Sequence, residues 1–196
     1  MRFVVGICGA SGSRYGLRLL RALVDARQEV ALVVSQGGAR VLEVEEGIAV
    51  DPARPDPDLL VPGHGGLVTA YSLFDVAAPF SSGTHPVGGM AVCPCSMGTL
   101  ARVAHGVSSN LLERAADVML KERRKLVLVP RETPLSLVHL RNMTAVTEAG
   151  AVVLPAAPGF YHGPESVDDL VAHVVQKVLD QLDVRVDLIR RWGGNR

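Results

Sequence analysis

Short apolar runs rich in β-branched residues recur along this chain, and most of them end in a small or polar turn that leads into a segment of helical periodicity. Arg2 to Cys8, Val30 to Val34, Met90 to Cys93, Leu126 to Val129 and Ala151 to Leu154 are such runs. Apolar runs without alternation fit strands covered on both faces, and strands separated by helices pair in parallel. Right-handed crossovers then place helices on both sides of one sheet. The expected fold is α/β: a single-domain, Rossmann-like, doubly wound parallel sheet in three α/β/α layers. A chain of 196 residues with 48% apolar side chains buries one such core, and a second full domain would be cramped.

The segments between the runs carry the matching stripes. In Tyr15 to Ala26 the residues Gly16, Leu19, Leu20, Leu23 and Val24 share one face, while Arg14, Arg18, Arg21 and Asp25 take the other. Gly38 to Glu46 predicts a short helix with Val41, Leu42 and Val44 inward and Glu43, Glu45 and Glu46 polar, one of these acids pointing at the ligand crevice. Asn110 to Glu122 predicts another, with Arg114 and Lys121 two turns apart on one side. Ser136 to Ala149 reads as a helix closed by Gly150. Ser166 with Asp169 opens a last helix whose inward stripe is Val167, Leu170, Val171, Val174, Val178 and Leu182, with Lys177 off it. Pro52, Pro55, Pro57 and Pro62 predict an irregular surface insertion over about 51–66. The tail from Asp183 to Arg196 carries Val184, Val186, Leu188, Ile189 and Trp192 without an obvious core position, so part of it is expected to dock on a neighbouring copy.

Ligands of open α/β sheets collect outside the carboxyl ends of the strands, which makes the turns at those ends the candidate site. The first turn, Gly6-Ile7-Cys8-Gly9-Ala10-Ser11-Gly12, departs from the dinucleotide fingerprint: its first glycine comes too early and no acid ends the second strand. No GxxxxGK[ST] sequence occurs either. Ser11 at a helix start, beside a second strand ending at Ser35, supplies donors suited to one phosphate group. A plain tight turn capped by Ser11 is the competing reading. Cys95-Ser96-Met97-Gly98-Thr99 brings a further polar turn to the crevice, and Pro155 to His162 another, its prolines holding Tyr161 in place. Arg131 and Glu132 set a cation and a carboxylate at a strand end. For them the competing reading is a solvated loop pair, with the basic run Lys121 to Lys125 complementing a helix dipole. Ser81 to His85 is a polar loop of the kind that closes over ligands, in which His85 is either a base or a solvated residue.

Twenty basic and twenty acidic residues cancel, so charge argues for neither nucleic acid nor an anionic membrane surface. A small molecule or another copy of the chain is the expected partner. Cys8, Cys93 and Cys95 are odd in number, no leader is read at the start, and no apolar run reaches bilayer length, so the cytoplasm is the expected location. Cys93-Pro94-Cys95 has neither redox nor zinc spacing, and its thiols are expected buried or in a loop.

Taken together, several ordered motifs resemble the UbiX-type flavin prenyltransferases, within the wider group of flavoproteins that also contains the cysteine decarboxylases. They are Gly9 to Gly12, Cys93 to Thr99, Glu113 to Val118, Leu120 to Arg124, Val127 to Pro134, Leu154 to His162 and Arg191 to Gly193. The resemblance covers nearly the whole chain and is weak only over Asp51 to Thr84. It implies an enzyme that joins a dimethylallyl group, delivered as dimethylallyl monophosphate, to N5 and C6 of reduced FMN. The prenylated FMN so made serves a UbiD-type decarboxylase, and the assembly implied is a homo-oligomer, a dodecamer. Carried over by motif, Gly9, Ala10, Ser11, Ser35, Ser96, Met97, Gly98, Thr99, Arg114 and Arg131 bind FMN. Lys121, Arg131, Tyr161 and Lys177 hold the prenyl phosphate, and Glu45 and Glu132 form the acid/base pair with Ser11 assisting. Many relatives place arginine at the Lys177 position, and a lysine there gives a point charge in place of a two-pronged fork.

The residues suit that chemistry on their own terms. Diphosphate-dependent prenyl transfer uses magnesium held by Asp-rich motifs, and no such motif is present, so a metal-independent route is expected. Fixed cations and a phenol can neutralise a departing phosphate instead, most effectively in a dry site. Two alternatives from other classes stay open: an FMN carrier or chaperone for a decarboxylase, and a flavin-dependent decarboxylase of the same fold. A carrier needs the phosphate turns but neither Glu132 nor Lys121. A cysteine decarboxylase would have no use for the prenyl-phosphate cations, and its Pro-Ala-Ser-Ala-Asn-Thr-like loop is missing here.

Overall fold

The computed structural model describes residues 1–193, and in it a sixth strand joins the five expected ones. The strands are β1 (Arg2–Ile7), β2 (Glu29–Val34), β3 (Val68–Tyr71), β4 (Met90–Cys95), β5 (Leu126–Pro130) and β6 (Val152–Val153). They pair in the order β3-β2-β1-β4-β5-β6, every pair parallel. The helices are α1 (Ser13–Asp25), α2 (Gln36–Glu46), α3 (Pro57–Leu60), α4 (Met97–Ala104), α5 (Leu111–Lys121), α6 (Leu137–Glu148) and α7 (Val167–Gln181). The chain winds outward from β1 to β3, returns to the middle, and winds the other way from β4 to β6. The strand order therefore reverses between β1 and β4, and a crevice opens at their carboxyl ends.

Successive side chains of a strand face opposite layers, and here both layers are apolar. Val5 and Ile7 of β1, Ala91 and Cys93 of β4, and Val127 and Val129 of β5 pack in the layer of α1 and α7. Val4, Met90, Val92, Leu126 and Leu128 pack in the layer of α4 and α5. Leu19, Leu20 and Leu23 of α1 are fully buried, each contributing on the order of 1.5–3 kcal/mol. Two glycines bring helix starts hard against strand ends. A Cβ on Gly16 would lie 2.5 Å from the Cys93 carbonyl oxygen, and one on Gly38 would collide with the Ile7 carbonyl.

Several expectations are corrected. β3 follows the 51–66 insertion, where no strand is expected; as an edge strand it pairs with β2 and leaves Thr69 exposed, so its apolar pattern is thin. The proline-rich insertion contains α3, where Asp56 accepts from Asp58 N at 2.9 Å and Pro57 sits where a missing N–H costs nothing. Val44 is 68% exposed because α2 buries only Gly38, Ala39 and Leu42. Val167 is exposed too, overhanging the crevice from the first turn of α7. The tail does not wait for a neighbour: Val184 is buried, and Val186 and Leu188 pack on the same core. Gln176 fastens it by donating to Val186 O at 2.8 Å and accepting from Leu188 N at 2.7 Å. Trp192 alone stays open, at 83% exposure, and residues 194–196 of that tail lie outside the described residues.

Candidate active site

β1, β2, β4 and β5 end side by side, and their turns form one rim. Cys8 N donates to Pro94 O at 3.2 Å, tying the first turn to the end of β4. Gly9 then meets Gly37 backbone to backbone, where a Cβ on Gly9 would lie 2.9 Å from the Gly37 Cα. The crevice floor at that point is bare main chain. Ser35 Oγ caps α2 by accepting from Gly38 N at 3.0 Å, which leaves its hydroxyl proton free to donate. Ser96 Oγ caps α4 by accepting from Thr99 N at 3.3 Å. The amides of Met97 and Gly98 open α4 without a partner inside the helix. Arg102, which sequence reasoning did not single out, reaches Thr99 Oγ1 at 3.4 Å. Its Nε is held at 2.5 Å by Glu113, a buried carboxylate that also accepts from Ser109 N. A charged residue on the buried stripe of α5 was the available signal.

The start of α1 differs from expectation. Its N-cap is Gly12, at φ 103°, and not Ser11. The open amides are satisfied from α2: Glu45 accepts from Gly12 N at 3.0 Å, Ser13 N at 2.9 Å and Ser13 Oγ at 2.7 Å. Burial pushes this carboxyl up, but hydrogen bonds from the Ser11 and Ser13 hydroxyls and from the Ser13 and Gly12 amides outweigh it and hold it below the usual carboxylate range. The positive end of the α1 dipole already meets an anion. Those two amides are therefore closed to a phosphate, and the helix starts left open at the rim are those of α2 and α4.

Arg131 leaves β5 directly and donates from Nε to Ser11 O at 3.1 Å, locking two turns together across the rim. Glu132 beside it is exposed and accepts from Thr133 N at 3.1 Å. Ser11, Gly12, Tyr15, Glu45, Arg131 and Val171 line a groove of about 470 Å³ here. A larger hollow of about 870 Å³, lined by Met1, Arg2, Leu182 and Val184, lies away from the rim, and none of the predicted site residues lines it. All three cysteines are buried and free.

The other predicted residues form two separate flanks. Arg114 pairs with Asp117 at 2.8 Å and donates to Ser81 O at 3.1 Å, while Lys121 pairs with Glu122 against Gly83. They do share one side of α5, as their spacing predicts. That flank also fixes the Ser81–His85 loop, because Arg124 donates to Gly83 O at 2.5 Å and to His85 O at 2.7 Å. Lys121 precedes the amino end of β5 and Arg131 follows its carboxyl end, so one copy holds them apart. The second flank lies along α7. Tyr161 is 46% exposed and stands edge-on to His162, His173 and Trp192, and Lys177 is exposed one turn beyond His173. The two histidines were missed, although His173 interrupts an otherwise apolar stripe.

Known proteins are similar to this chain over nearly its whole length. The family described as Flavoprotein matches residues 1–179. A flavin prenyltransferase UbiX of Halalkalibacterium halodurans is 47% identical over 194 residues, covering 99% of this chain and 94% of its own. AnUbiX, solved in complex with FMN and dimethylallyl pyrophosphate, superposes with a TM-score of 0.86 at 41% identity, over 100% of this chain and 98% of that one. A dodecameric FMN-dependent UbiX-like decarboxylase from Escherichia coli O157:H7 gives a TM-score of 0.87 at 43% identity, over 99% and 100% of the two chains.

Proposed function

This chain belongs to the flavoprotein family, among the UbiX flavin prenyltransferases, and we propose on that premise that it transfers a dimethylallyl group from dimethylallyl monophosphate to reduced FMN. The observation that carries this reading is the rim itself: a bare Gly9–Gly37 floor, an open α4 start at Ser96 to Thr99, and Arg131 locked to the first turn.

The donor set fits FMN. The hydroxyls of Ser35 and Thr99, the latter fixed by accepting from Ser96 Oγ at 3.1 Å, and the first amides of α4 suit a phosphate monoester, with Arg102 behind them adding charge. Gly9, Ala10 and Ser11 would hold a flat ring against main chain, and Arg131, locked to Ser11 O, would bind it with them. The chemistry supplied by bound reduced FMN is nucleophilicity at N5 and C6. The chain's own residues prepare the other reactant. Lys121, Arg131, Lys177 and the Tyr161 hydroxyl neutralise charge on the departing phosphate. Glu132, held only by its neighbour's amide, exchanges protons with the phosphate or with the ring position being substituted. Glu45 is already saturated with donors and ionised, so it serves as an acceptor rather than an acid, with Ser11 as its link to the rim.

These groups lie on separate flanks of one copy, and in this reading they meet across subunit contacts, Arg114 among them. Leu135, Leu137, Val138 and Leu140, just beyond the Arg131 turn, are exposed and form the apolar face that assembly covers. A homo-oligomer, dodecameric like its structural neighbour, is the state proposed. The whole chain acts as one flavin-binding domain, with 51–66 an insertion on its surface. Free thiols fit the reducing cytoplasm, and among the described residues no helix is long and apolar enough to cross a membrane. The product passes to a UbiD-type decarboxylase.

Incubation with reduced FMN and dimethylallyl monophosphate, followed by mass spectrometry, is the direct test. Flavin carrying one five-carbon unit is expected. Bound FMN recovered unchanged would identify a carrier instead.

A further inference from the structure

The loop that carries Tyr161 is fastened to α7 by two imidazoles. Gly159 donates its N–H to His173 Nδ1 at 3.2 Å, and His162 Nε2 donates to Asp169 O at 3.3 Å. These bonds set the tautomers, since an accepting nitrogen must be bare and one facing a carbonyl must carry hydrogen. The remaining nitrogens, His173 Nε2 and His162 Nδ1, are buried without partners among the described residues. The two rings stack with centroids 5.2 Å apart and planes 17° apart. Gly159 is fitted between His173 and Tyr161: a Cβ there would lie 3.1 Å from His173 Nε2 and 3.2 Å from Tyr161 Cε1. His173 itself is 7% exposed, one turn before Lys177.

We propose that His173 is a positioning residue for prenyl-phosphate binding, its neutral ring clipping Gly159 to α7 so that Tyr161 is held beside the turn that carries Lys177. The proposal rests on the role given to Tyr161 and Lys177 above. Only the neutral ring accepts from Gly159; a proton on Nδ1 sets donor against donor. It also adds positive charge within a stack. Tyr161 and His162 face His173 from the loop and Lys177 from its own helix, while Trp192 of the tail stands against Tyr161. The nearby carboxylate of Asp169 is committed to Glu165 N and Ser166. Burial, then His162 and Lys177, hold His173 below the usual imidazole range, so the clip is closed at neutral pH and opens as the pH falls.

His173→Gln supplies an oxygen that can accept from Gly159 and does not titrate, whereas His173→Leu neither accepts nor titrates. Trp192, the chain's only tryptophan, reports the loop directly, with no prenyl phosphate present. Its emission, and KM for dimethylallyl monophosphate, are followed from about pH 8 to about pH 5, the range in which imidazole titrates. The parent is expected to show an emission transition that His173→Gln lacks, and its KM should rise about tenfold more than that variant's, the loss of one buried hydrogen bond. Titration of the phosphate itself cancels in that ratio. For His173→Leu, KM should be raised about tenfold at every pH, with kcat within about twofold. An identical emission transition in parent and His173→Gln, or a parental KM in His173→Leu, overturns the proposal. If the parent forms no prenylated flavin, the assigned function fails while the Trp192 titration still decides the clip. If His173→Leu does not fold, His173→Gln carries the test.

Discussion

Alanine at Lys121 in one chain and at Arg131 in another, with the two chains then assembled together, tests whether the reacting phosphate is gripped by more than one copy. β5 has five residues and spans roughly 17 Å at about 3.3 Å per residue, longer than a lysine side chain reaches. A site that uses both cations must take them from different copies. Each variant alone loses a charge-assisted contact, about 1.5–3 kcal/mol, or roughly ten- to a hundredfold in kcat/KM. In an equal, random mixture half of the Lys121 flanks and half of the Arg131 rims are intact. Symmetry makes every site alike, so about a quarter of them combine two intact halves. Activity of the mixed assembly should therefore return to about a quarter of the parent's. Co-assembly of the parent with a chain carrying both substitutions gives a second reading: about a quarter for sites shared between copies, about half for sites within one. Prenylated FMN formed per assembly is the quantity to measure. A mixture no better than the mean of its two variants would refute the shared site.

Two further outcomes follow from the rim. Glu132→Gln should lower turnover by roughly a hundredfold or more, the usual scale for a general acid/base, and leave FMN affinity unchanged; a parental rate would remove Glu132 from the chemistry. Glu45 has a folded pKa held below its unfolded one, so its contribution to stability is present above the usual carboxylate range and is lost as pH falls through the depressed value. The midpoint of denaturant unfolding should accordingly fall less steeply on acidification in Glu45→Gln than in the parent, and parallel curves would show that its bonds to Gly12 and Ser13 do not stabilise the fold.

The winding of the sheet was legible because β1, β2, β4 and β5 are buried on both faces and read as continuous apolar runs, and because Ser136, Ser166 and Gly150 mark helix ends in local sequence. β3 escaped because an edge strand needs little apolar surface, and Val44 misled because composition cannot show how far a helix overhangs its sheet. The rim turns were legible one by one, as was the shared side of Arg114 and Lys121. What could not be read was occupancy. The α1 amides looked open until Glu45 arrived from another helix, and the tail looked unattached until Gln176 was seen to hold it. Contacts between residues distant in sequence decide such matters, and periodicity carries no record of them.

The reversal of strand order between β1 and β4 also bears on how the protein forms. Val4 pairs with Met90, so the middle of the sheet is closed by segments far apart in the chain, and among the described residues every strand pair is parallel and no hairpin supplies a local nucleus. Loop closure must precede the reward of pairing, which makes such topologies slow to fold. During synthesis from the amino terminus, β1 and β2 can pair early, but one edge of β1 stays bare until β4 emerges. The flavin rim, shared by those same strands, can exist only after that step. FMN captured there would then favour the closed sheet over every earlier state, and a flavin-starved cell is where this chain is most exposed to misassembly.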